Sequence, residues 1–479
     1  MKFGKFIIII TIFFASCTDF GDINVDPDVS SSANPKEVLT SAQGYMAWVL
    51  EGQLNNRGAL WSQYWTWGPG VALGNNERFI SEPGDFNNVW SRAYANALAD
   101  LKFLVKSGDP SYSGIAKILQ ANTFQLLVDH FGDVPYSEAI NGALADGANF
   151  APKFDDDKFI YGELVKLLDS AVSDLAKGTT NPGAADLMYG GDLTKWIKYA
   201  NSLKLRLLIR QSITGDQAAI GAAVKAAIAK GNFIESANDI AKMDFAGTAG
   251  SENPMYASFE VSLGNFYVAS NSSINALRND PRLEKIYIKA ANNGNFVGID
   301  QGAIDALPFT VVNKDFSSAS PAGYGKANPV IFMSNWEVWF LRSEAALRYA
   351  TGESDATNFA KAIDANFAYL KAVGADAFSS GLEYSTKDNK GKIALLATQK
   401  WISMNGFQEA EAWAEARRLD TPDTKIFTGV NGLWKTPLKT ALGQNVFPTI
   451  YLYPESEISY NPNAKQKELK LLEKTFWDN

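Results

Sequence analysis

The sequence predicts a mostly α-helical protein: a tetratricopeptide-like array of helix pairs, covered on one face by an irregular, loop-rich region with a few short strands. Two observations support this fold class. Long segments carry apolar residues at helical spacing and stop at Gly or Pro. Residues 231–335 are instead rich in Gly, Asn and Ser around short apolar pieces, which favours long loops. Because no strict consensus of about 34 residues recurs, the array is inferred from the length and order of the helices.

The first residues have the order of a secretory signal. Two lysines within residues 1–5 precede an apolar run at residues 6–14, and two small residues then lead to Cys17. The run is shorter than the roughly 20 residues that cross a bilayer, so we expect residues 1–16 to be a cleaved signal peptide. Cys17 is the only cysteine, and Phe-Ala-Ser-Cys is similar to a bacterial lipobox. We therefore expect lipidation of Cys17; the alternative is an ordinary signal peptide with an incidental cysteine.

Residues 17–34 carry polar residues, Gly and Pro around few apolar ones, which predicts a lipidated N-terminus and tether. The folded domain then covers residues 35–479, with the loop-rich insert at about 231–335 and a loop-like tail from residue 429. Proline in the first turn and apolar residues at helical spacing indicate the individual helices. Helices are predicted at residues 35–51, 90–106, 111–130, 157–177, 192–213, 216–230, 336–350, 355–373 and 392–419.

Composition narrows the function. With 44 Lys+Arg against 52 Asp+Glu, the net charge is −8 and no basic run is present. Such a chain is a poor nucleic-acid binder. Aromatic residues make up 12% of the chain, which exceeds what a core alone usually needs. We therefore expect some of the rings to be exposed.

An aromatic stretch at residues 57–79 is the main candidate for a binding site. Sugars present flat C–H faces ringed by hydroxyls, so a glycan site combines aromatic planes with short polar side chains and arginine. The glycines and proline at residues 68–70 indicate a loop, where binding residues are often placed. Alternatively, Trp61 and Trp65, four residues apart, form one buried helix face. The candidate ligand-binding residues here are Trp61, Tyr64, Trp65, Trp67, Asn75, Asn76 and Arg78.

A second candidate lies in the irregular region at residues 255–271. Asn265 and Tyr267 are its candidate ligand-binding residues, although packing of this loop onto the helices is the alternative. Trp336 and Trp339 lie within a predicted helix and are expected in the core.

Catalytic and metal-binding residues are not predicted. The single histidine, His130, closes a helix, where a cationic side chain suits the carbonyl end. No Gly-x-Ser-x-Gly motif accompanies it, and one histidine excludes a two-histidine zinc site. The acids at residues 155–157 lack the ligand spacing of an EF-hand, so a solvated helix start is favoured over calcium binding. A glycosidase-type carboxylate pair cannot be selected among 52 acids. We expect a protein without a cofactor.

Several segments resemble, in order, the SusD/RagB family of outer-membrane lipoproteins. Residues 129–136 are similar to its helix-ending Tyr/Phe-Gly-Asp-Val-Pro-Tyr signature, and residues 453–457 to its closing Tyr-Pro-x-x-Glu pattern. The intervening similar segments are residues 195–206, 279–283, 336–348 and 399–418. Together with the lipobox, the resemblance covers nearly the whole mature chain.

The resemblance implies a catalytically silent, lipid-anchored binding protein at the outer membrane that faces the cell exterior. The usual partner is a SusC-like TonB-dependent transporter, and the usual cargo is glycan. We therefore expect glycan capture and delivery, with outer-membrane lipid contacted through acylated Cys17. Two alternatives stay open: a peptide-binding lid of the RagB type, and a surface glycosidase.

Overall fold

The computed structural model describes residues 33–70, 74–141, 148–262, 266–464 and 471–478. The predicted signal peptide, Cys17, most of the tether and Asn265 lie outside these residues. The α-helices are α1 Pro35–Val49, α2 Asn55–Trp61, α3 Asn87–Trp90, α4 Ala99–Val105, α5 Pro110–Phe131, α6 Asp157–Leu175, α7 Leu193–Arg210, α8 Gln217–Lys230, α9 Pro254–Tyr256, α10 Asn271–Ala276, α11 Leu283–Ile286, α12 Pro321–Tyr324, α13 Asn335–Tyr349, α14 Asp355–Leu370, α15 Ala375–Gly381, α16 Asn389–Met404, α17 Glu409–Leu419 and α18 Glu455–Tyr460.

Consecutive long helices pack on one another, as the predicted array requires. Helix α5 packs on α6, α6 on α7, α7 on α8, α13 on α14 and α16 on α17. The sequence sets the helix ends: the Asp109 side chain accepts a hydrogen bond from the Ser111 backbone N–H (2.8 Å) at the start of α5, and Gly132 ends the helix with a φ of 73°. The predicted mostly helical, tetratricopeptide-like fold class is confirmed.

The stretch at residues 392–419 corrects one expectation. It forms two helices, α16 and α17, instead of one, because the chain turns at Gly406 with a φ of 90°. Only glycine fits there: a Cβ at Gly406 would lie 3.0 Å from the Cα of Gly323.

In the described part of the chain, three π-helical turns interrupt the regular helices, and periodicity did not predict them. The first, π1 (Leu50–Leu54), joins α1 to α2, and π2 (Ser91–Leu98) joins α3 to α4. The third, π3 (Ala257–Ser262), follows α9 in the irregular region. Such turns occur frequently at functional sites because they re-aim the side chains of a helix.

The described strands are short and form two-stranded antiparallel sheets. Strand β1 (Trp65–Trp67) pairs with β5 (Tyr267–Ala269), placing Trp67 opposite Tyr267. This pairing fixes the irregular region onto the segment that follows α2. The other strands are β2 Val134–Pro135, β3 Phe154–Asp155, β4 Ala241–Met243, β6 Tyr287–Ile288, β7 Ser318–Ala319 and β8 Val330–Met333.

Charged side chains are buried and paired where α7, α13, α16 and α17 meet. This buried ion network comprises Arg206, Arg210, Glu337, Glu344, Lys400, Glu411, Glu415 and Arg418. Arg418 bonds to both oxygens of Glu344 at 2.7 and 2.6 Å, which lowers the pKa of Glu344 to about 2 despite the opposing effect of burial.

His130 and the acids at the start of α6 differ in detail from expectation. His130 is buried, and burial lowers its pKa to about 3, so the ring is neutral and not the cationic helix end that was expected. Asp155 is also buried and accepts a 2.7 Å hydrogen bond from the Ser137 backbone instead of lying in solvent. Asp156 caps α6 by accepting from the Phe159 backbone at 2.9 Å.

Carboxylate oxygens of Asp133, Asp156 and Asp157 lie within 4.8 Å of one another. The hydrogen bonds that Asp133 and Asp157 accept from the backbone of Asp157 and Phe476 account for this grouping without an ion. Within the described ranges, no helix is both long and apolar enough to cross a membrane.

Candidate ligand-binding site

Three of the predicted ligand-facing rings are enclosed by protein. Trp61, Tyr64 and Trp65 are at most 1% exposed. Burial removes them from the candidate set, since an enclosed ring has no face for a sugar. They do not form the single helix face of the alternative interpretation either, because α2 ends at Trp61 and Gln63 reverses the chain with a φ of 57°.

These three rings instead anchor the segment to the core. Trp61 packs edge-on against Trp413 and Tyr451, with ring centroids 5.2 and 5.1 Å apart. Tyr64 stacks on Trp401, and Trp65 packs edge-on against Tyr324 at 4.9 Å. The partners come from distant parts of the chain, so the rings tie the segment to α16, α17 and the irregular region. Trp336 and Trp339 are likewise buried, which confirms their predicted place in the core.

Among the three tryptophans predicted to face ligand, Trp67 is the one that is half-buried instead of fully buried. Its indole N–H donates to the Asn76 side-chain oxygen at 3.1 Å, and its ring stacks on Phe266 with centroids 6.3 Å apart. Gly74 lies against the indole edge: a Cβ at Gly74 would come within 2.3 Å of the Trp67 indole nitrogen. Gly74 therefore leaves the space that the Trp67 ring occupies in this position.

Glu77 contacts the strand that carries Trp67. It is buried, accepts a hydrogen bond from the Thr66 hydroxyl and lies 3.4 Å from the Trp67 backbone nitrogen. Burial raises the pKa of Glu77 to about 7, and the hydrogen bond from Thr66 opposes this shift. The Glu77 carboxyl, which lies against the Trp67 backbone, therefore changes charge near neutral pH.

The remaining predicted residues are divided between surface and core. Asn75 is exposed, and its backbone closes the turn that carries Asn76. Arg78 donates through Nε to the Lys439 carbonyl at 3.1 Å, which ties it to the tail. Tyr267 is only 6% exposed and packs on Trp67 at 4.9 Å, as the packing interpretation of the second candidate predicted.

A polar pocket lies next to this segment. It has a volume of about 280 Å³, near the lower bound for small-molecule sites. Asn76 lines it from the Trp67 side, and the π-helical turns π1 and π3 contribute Gly52, Gln53 and Ser258. Two of the three π-helical turns thus open onto the same pocket.

The rest of the pocket wall combines charge with apolar surface. Phe86 and Val89, just before π2, are its apolar residues, and Asn56, Arg57 and Asp85 are polar. Arg57 lies with its guanidinium carbon 5.3 Å from the ring centroid of Phe86 and donates through Nη2 to Asp85 at 3.1 Å. Its other terminal nitrogen, Nη1, is buried and has no hydrogen-bond partner within the described part of the chain.

Trp48, in the helix predicted at residues 35–51, is an exposed tryptophan next to the pocket residue Gly52. Trp48 is 39% exposed. Its ring lies directly against Gly52, because a Cβ at Gly52 would be only 2.8 Å from the ring. Arg92 covers one face of the ring at 5.3 Å. Trp48 therefore adjoins the pocket residue Gly52, and Trp67 adjoins the pocket residue Asn76, although neither indole lines the pocket itself. This arrangement can stack flat ligand faces and donate hydrogen bonds to a neutral ligand.

Comparison with known proteins identifies the family. Residues 27–454 match a family model described as SusD-like, starch-binding and associating with the outer membrane. The chain belongs to the SusD/RagB family. No curated protein matches the sequence.

Solved structures of SusD homologues share the fold. A protein described as chitin-binding is 25% identical, with a TM-score of 0.75, covering 93% of this chain and 100% of its own. A SusD homologue from Bacteroides thetaiotaomicron is 19% identical, with a TM-score of 0.77, covering 93% and 99%. A chitin-binding SusD homologue from Flavobacterium johnsoniae is also 19% identical, with a TM-score of 0.75, covering 93% and 97%. In this SusD-like chain, the pocket lies between Gly52, which adjoins Trp48, and Asn76, which is bonded to Trp67.

Proposed function

We propose that this SusD-like protein captures oligosaccharides or polysaccharides at the cell surface and delivers them to a SusC-like TonB-dependent transporter. The observation that carries the proposal is the polar pocket of about 280 Å³, with the exposed Trp48 beside its residue Gly52 and the half-buried Trp67 hydrogen-bonded to its residue Asn76. Its position in a chain of a starch-binding family supports glycan as the ligand.

Binding combines several modest contacts. Indole rings stack on the C–H faces of sugar rings, while amide and guanidinium groups of Gln53, Asn56 and Arg57 donate hydrogen bonds to ligand oxygens. Each such contact contributes little after desolvation, so we expect affinities on the order of micromolar or weaker. Weak capture suits a protein that hands its cargo to a transporter.

The site favours glycan over the peptide alternative. Peptide recognition generally uses an extended edge or groove that pairs with backbone groups. The pocket here is compact, at about 280 Å³, and no free strand edge lines it among the described residues. Two similar solved structures are described as chitin-binding, which supports the same choice.

Anchoring and partner belong to the same proposal. Acylated Cys17 holds the protein on the outer membrane, residues 17–34 act as a tether, and the domain faces the cell exterior without catalytic activity. Protease treatment of intact cells tests the orientation, and co-purification with a SusC-like transporter tests the partnership. Slow release of reducing ends by purified protein would instead indicate a glycosidase.

Affinity electrophoresis of the protein truncated before Thr18 tests ligand binding. The gels contain different polysaccharides, and the samples include wild type, a Trp48→Ala/Trp67→Ala variant and a Tyr460→Ala control. Tyr460 is 84% exposed and lies outside the pocket lining, so its removal controls for the loss of a surface ring. We expect at least one glycan to retard wild type and the control but not the double variant.

The helical circular dichroism of the double variant must match wild type for the comparison to be valid. If no glycan retards the wild-type protein, the glycan proposal fails. Titration with mixed peptides then tests the alternative ligand.

A further inference from the structure

We infer that Arg92 and Trp48 form an acidic-sugar subsite at the edge of the pocket, in which the Arg92 guanidinium binds the carboxylate of a uronic acid. This inference rests on the proposed function and names the class of glycan, one that contains uronic acid.

Arg92 differs from the other arginines in having no polar partner. Within the described part of the chain, every other arginine donates at least one hydrogen bond, as Arg57 does to Asp85. Arg92 has neither a hydrogen bond nor an ion pair there, and its guanidinium carbon lies 5.3 Å from the ring centroid of Trp48. The side chain is half-buried, and none of its nitrogens is both unpaired and shielded from solvent. Its donors are therefore accessible to a ligand.

Two segments bring this cation to the edge of the pocket. The Trp48 ring that Arg92 covers lies directly against the lining residue Gly52. Arg92 also follows the lining residue Val89 within one helical turn, where α3 continues into π2. Tyr45, three residues before Trp48 on α1, is 36% exposed and adds a second accessible ring on the same side of the helix. The edge of the pocket thus combines an unpaired cation with aromatic surface.

The neighbouring acids do not compensate the charge of Arg92. Asp85, the acid in the pocket wall, is paired with Arg57 at 3.1 Å. Glu51, on π1, is buried and accepts hydrogen bonds from two asparagine side chains. Asp100, on α4, is hydrogen-bonded to a serine side chain. Among the described elements packed on π2, no acid comes within ion-pair distance of Arg92. A carboxylate that binds Arg92 therefore gains an ion pair without displacing one.

A uronic acid fits both parts of this edge. The two oxygens of a carboxylate match the planar fork of a guanidinium, which a single ammonium does not offer. The carboxylate projects from the edge of the sugar ring, so it can reach Arg92 while a C–H face rests on Tyr45 or on the exposed part of Trp48. Sugar hydroxyls can then meet Gln53 and Asn56, which are half-buried in the pocket wall and have no described hydrogen bonds. A neutral sugar would leave the cation with water.

Isothermal titration with matched oligosaccharides tests the inference. The ligands are hexamers of galacturonate, glucuronate and mannuronate, each beside its carboxyl-reduced counterpart, which keeps the linkage and carries –CH2OH instead of the carboxylate. The proteins are wild type, Arg92→Met and an Arg278→Met control. Arg278 is exposed and lies outside the pocket lining, and its loss changes the net charge as much as the loss of Arg92 does.

The unbranched methionine preserves an apolar stem against Trp48, so we expect Arg92→Met to fold. Its circular dichroism must match wild type, and Arg92→Gln provides a second neutral substitution if it does not.

We expect wild type and the control to bind at least one uronate hexamer about fivefold or more tightly than its reduced counterpart at low ionic strength, as a partly exposed charge-assisted pair would give. The preference should disappear in the Arg92 variant while binding of the reduced hexamer persists. It should also shrink in about 0.5 M NaCl, because salt screens an exposed ion pair. A preference that persists without Arg92, or that Arg278→Met loses equally, overturns the subsite.

The other outcomes separate this inference from the proposed function. Equal binding of every uronate hexamer and its reduced counterpart, or tighter binding of the reduced forms, overturns the acidic-sugar inference while glycan binding stands. If the protein binds none of these hexamers but does bind another glycan on the affinity gels, this inference is overturned alone. If no glycan binds in either experiment, the proposed function and the inference both fail.

Discussion

The buried ion network and the pocket both remove an arginine from water, but they treat its N–H groups differently. In the network, Arg418 uses all three guanidinium nitrogens, bonding to Glu344, Glu415 and Ser212 at 2.6–2.9 Å. In the pocket, Arg57 has one described hydrogen bond, to Asp85, and its Nη1 is unpaired. All three guanidinium nitrogens are hydrogen-bonded in Arg418, whereas Nη1 of Arg57 has no described hydrogen bond.

This difference separates structural from binding roles. A buried charge with all its partners holds helices in register, and removing one partner leaves the others without compensation. An arginine whose one described partner is a partly exposed acid holds fewer segments together, so its loss disrupts the fold less. The array is therefore expected to be sensitive to mutations in the network, and ligand binding to mutations in the pocket.

The largest expected effect is the loss of a network arginine. Arg418→Met leaves Glu344 and Glu415 buried without their shared cation, so we expect the free energy of unfolding to fall by about 3–5 kcal/mol. Arg57→Met should cost much less, because its partner Asp85 has a side chain that is 35% exposed and can be solvated. Urea unfolding of both variants measures the difference. Equal losses would mean that the two regions do not differ as described.

The second prediction compares the pH dependence of the two regions. The pKa of Glu344 in the network is lowered, so its contribution to stability is present above its unfolded value of 4.5 and is lost as pH falls towards 2. The pKa of Glu77 beneath Trp67 is raised to about 7, so the folded state keeps the proton longer than the unfolded state does. Stability attributable to Glu77 is therefore greatest below pH 4.5 and decreases as pH rises to about 7.

Glu77→Gln removes this titration. We expect the variant to gain stability relative to wild type between pH 4.5 and pH 8, by up to about 3 kcal/mol for a pKa shift of this size. Unfolding free energies of the two proteins at both pH values give the difference, in which the other titrating acids cancel. A constant difference across this range would show that Glu77 titrates normally.

The third prediction concerns the backbone beneath Trp67. Gly74→Ala places a methyl group within 2.3 Å of the Trp67 indole nitrogen and 2.7 Å of the Asn76 side-chain oxygen, so the ring must move and its bond to Asn76 must break. We expect glycan affinity to fall roughly tenfold, equivalent to about 1.4 kcal/mol. Gly44→Ala is the matched control, because a Cβ at Gly44 meets no atom within 4 Å. Unchanged affinity in Gly74→Ala would show that Trp67 does not contact the ligand.

The sequence predicted the array because its signals are local. Apolar spacing within α5 and its capping residues depend on neighbours in the chain, and these remain valid in the folded protein. The exposure of a ring depends instead on remote segments. Trp61 is buried by Trp413 and Tyr451, more than 350 residues away, and no pattern near Trp61 encodes that contact.

The pocket was missed for related reasons. In the sequence, Trp48 is one aromatic residue within a predicted helix. In the structure it is exposed and lies between Gly52 of π1 and Arg92 of π2. The π-helical turns that carry Gly52, Gln53 and Ser258 have no sequence pattern comparable to helical periodicity. One weak signal was available: Gln53, Asn56 and Arg57 recur at helical spacing after an apolar helix, which places three polar groups on one face.

The smallest expected effect sharpens the comparison most. Gln53→Ala and Asn56→Ala each remove a half-buried side chain that has no described hydrogen bond, so we expect the free energy of unfolding to change by no more than about 0.5 kcal/mol. Beside the network, Gln125→Ala is the matched amide change, because the Gln125 amide accepts from the network residue Arg206 at 3.1 Å and donates to Asp129. Its loss leaves buried partners unpaired and should cost about 1–3 kcal/mol. Urea unfolding of the three variants therefore tests whether the pocket amides are structurally idle. If Gln53→Ala or Asn56→Ala lowers the free energy of unfolding as much as Gln125→Ala does, these amides stabilise the fold and are not available to a ligand.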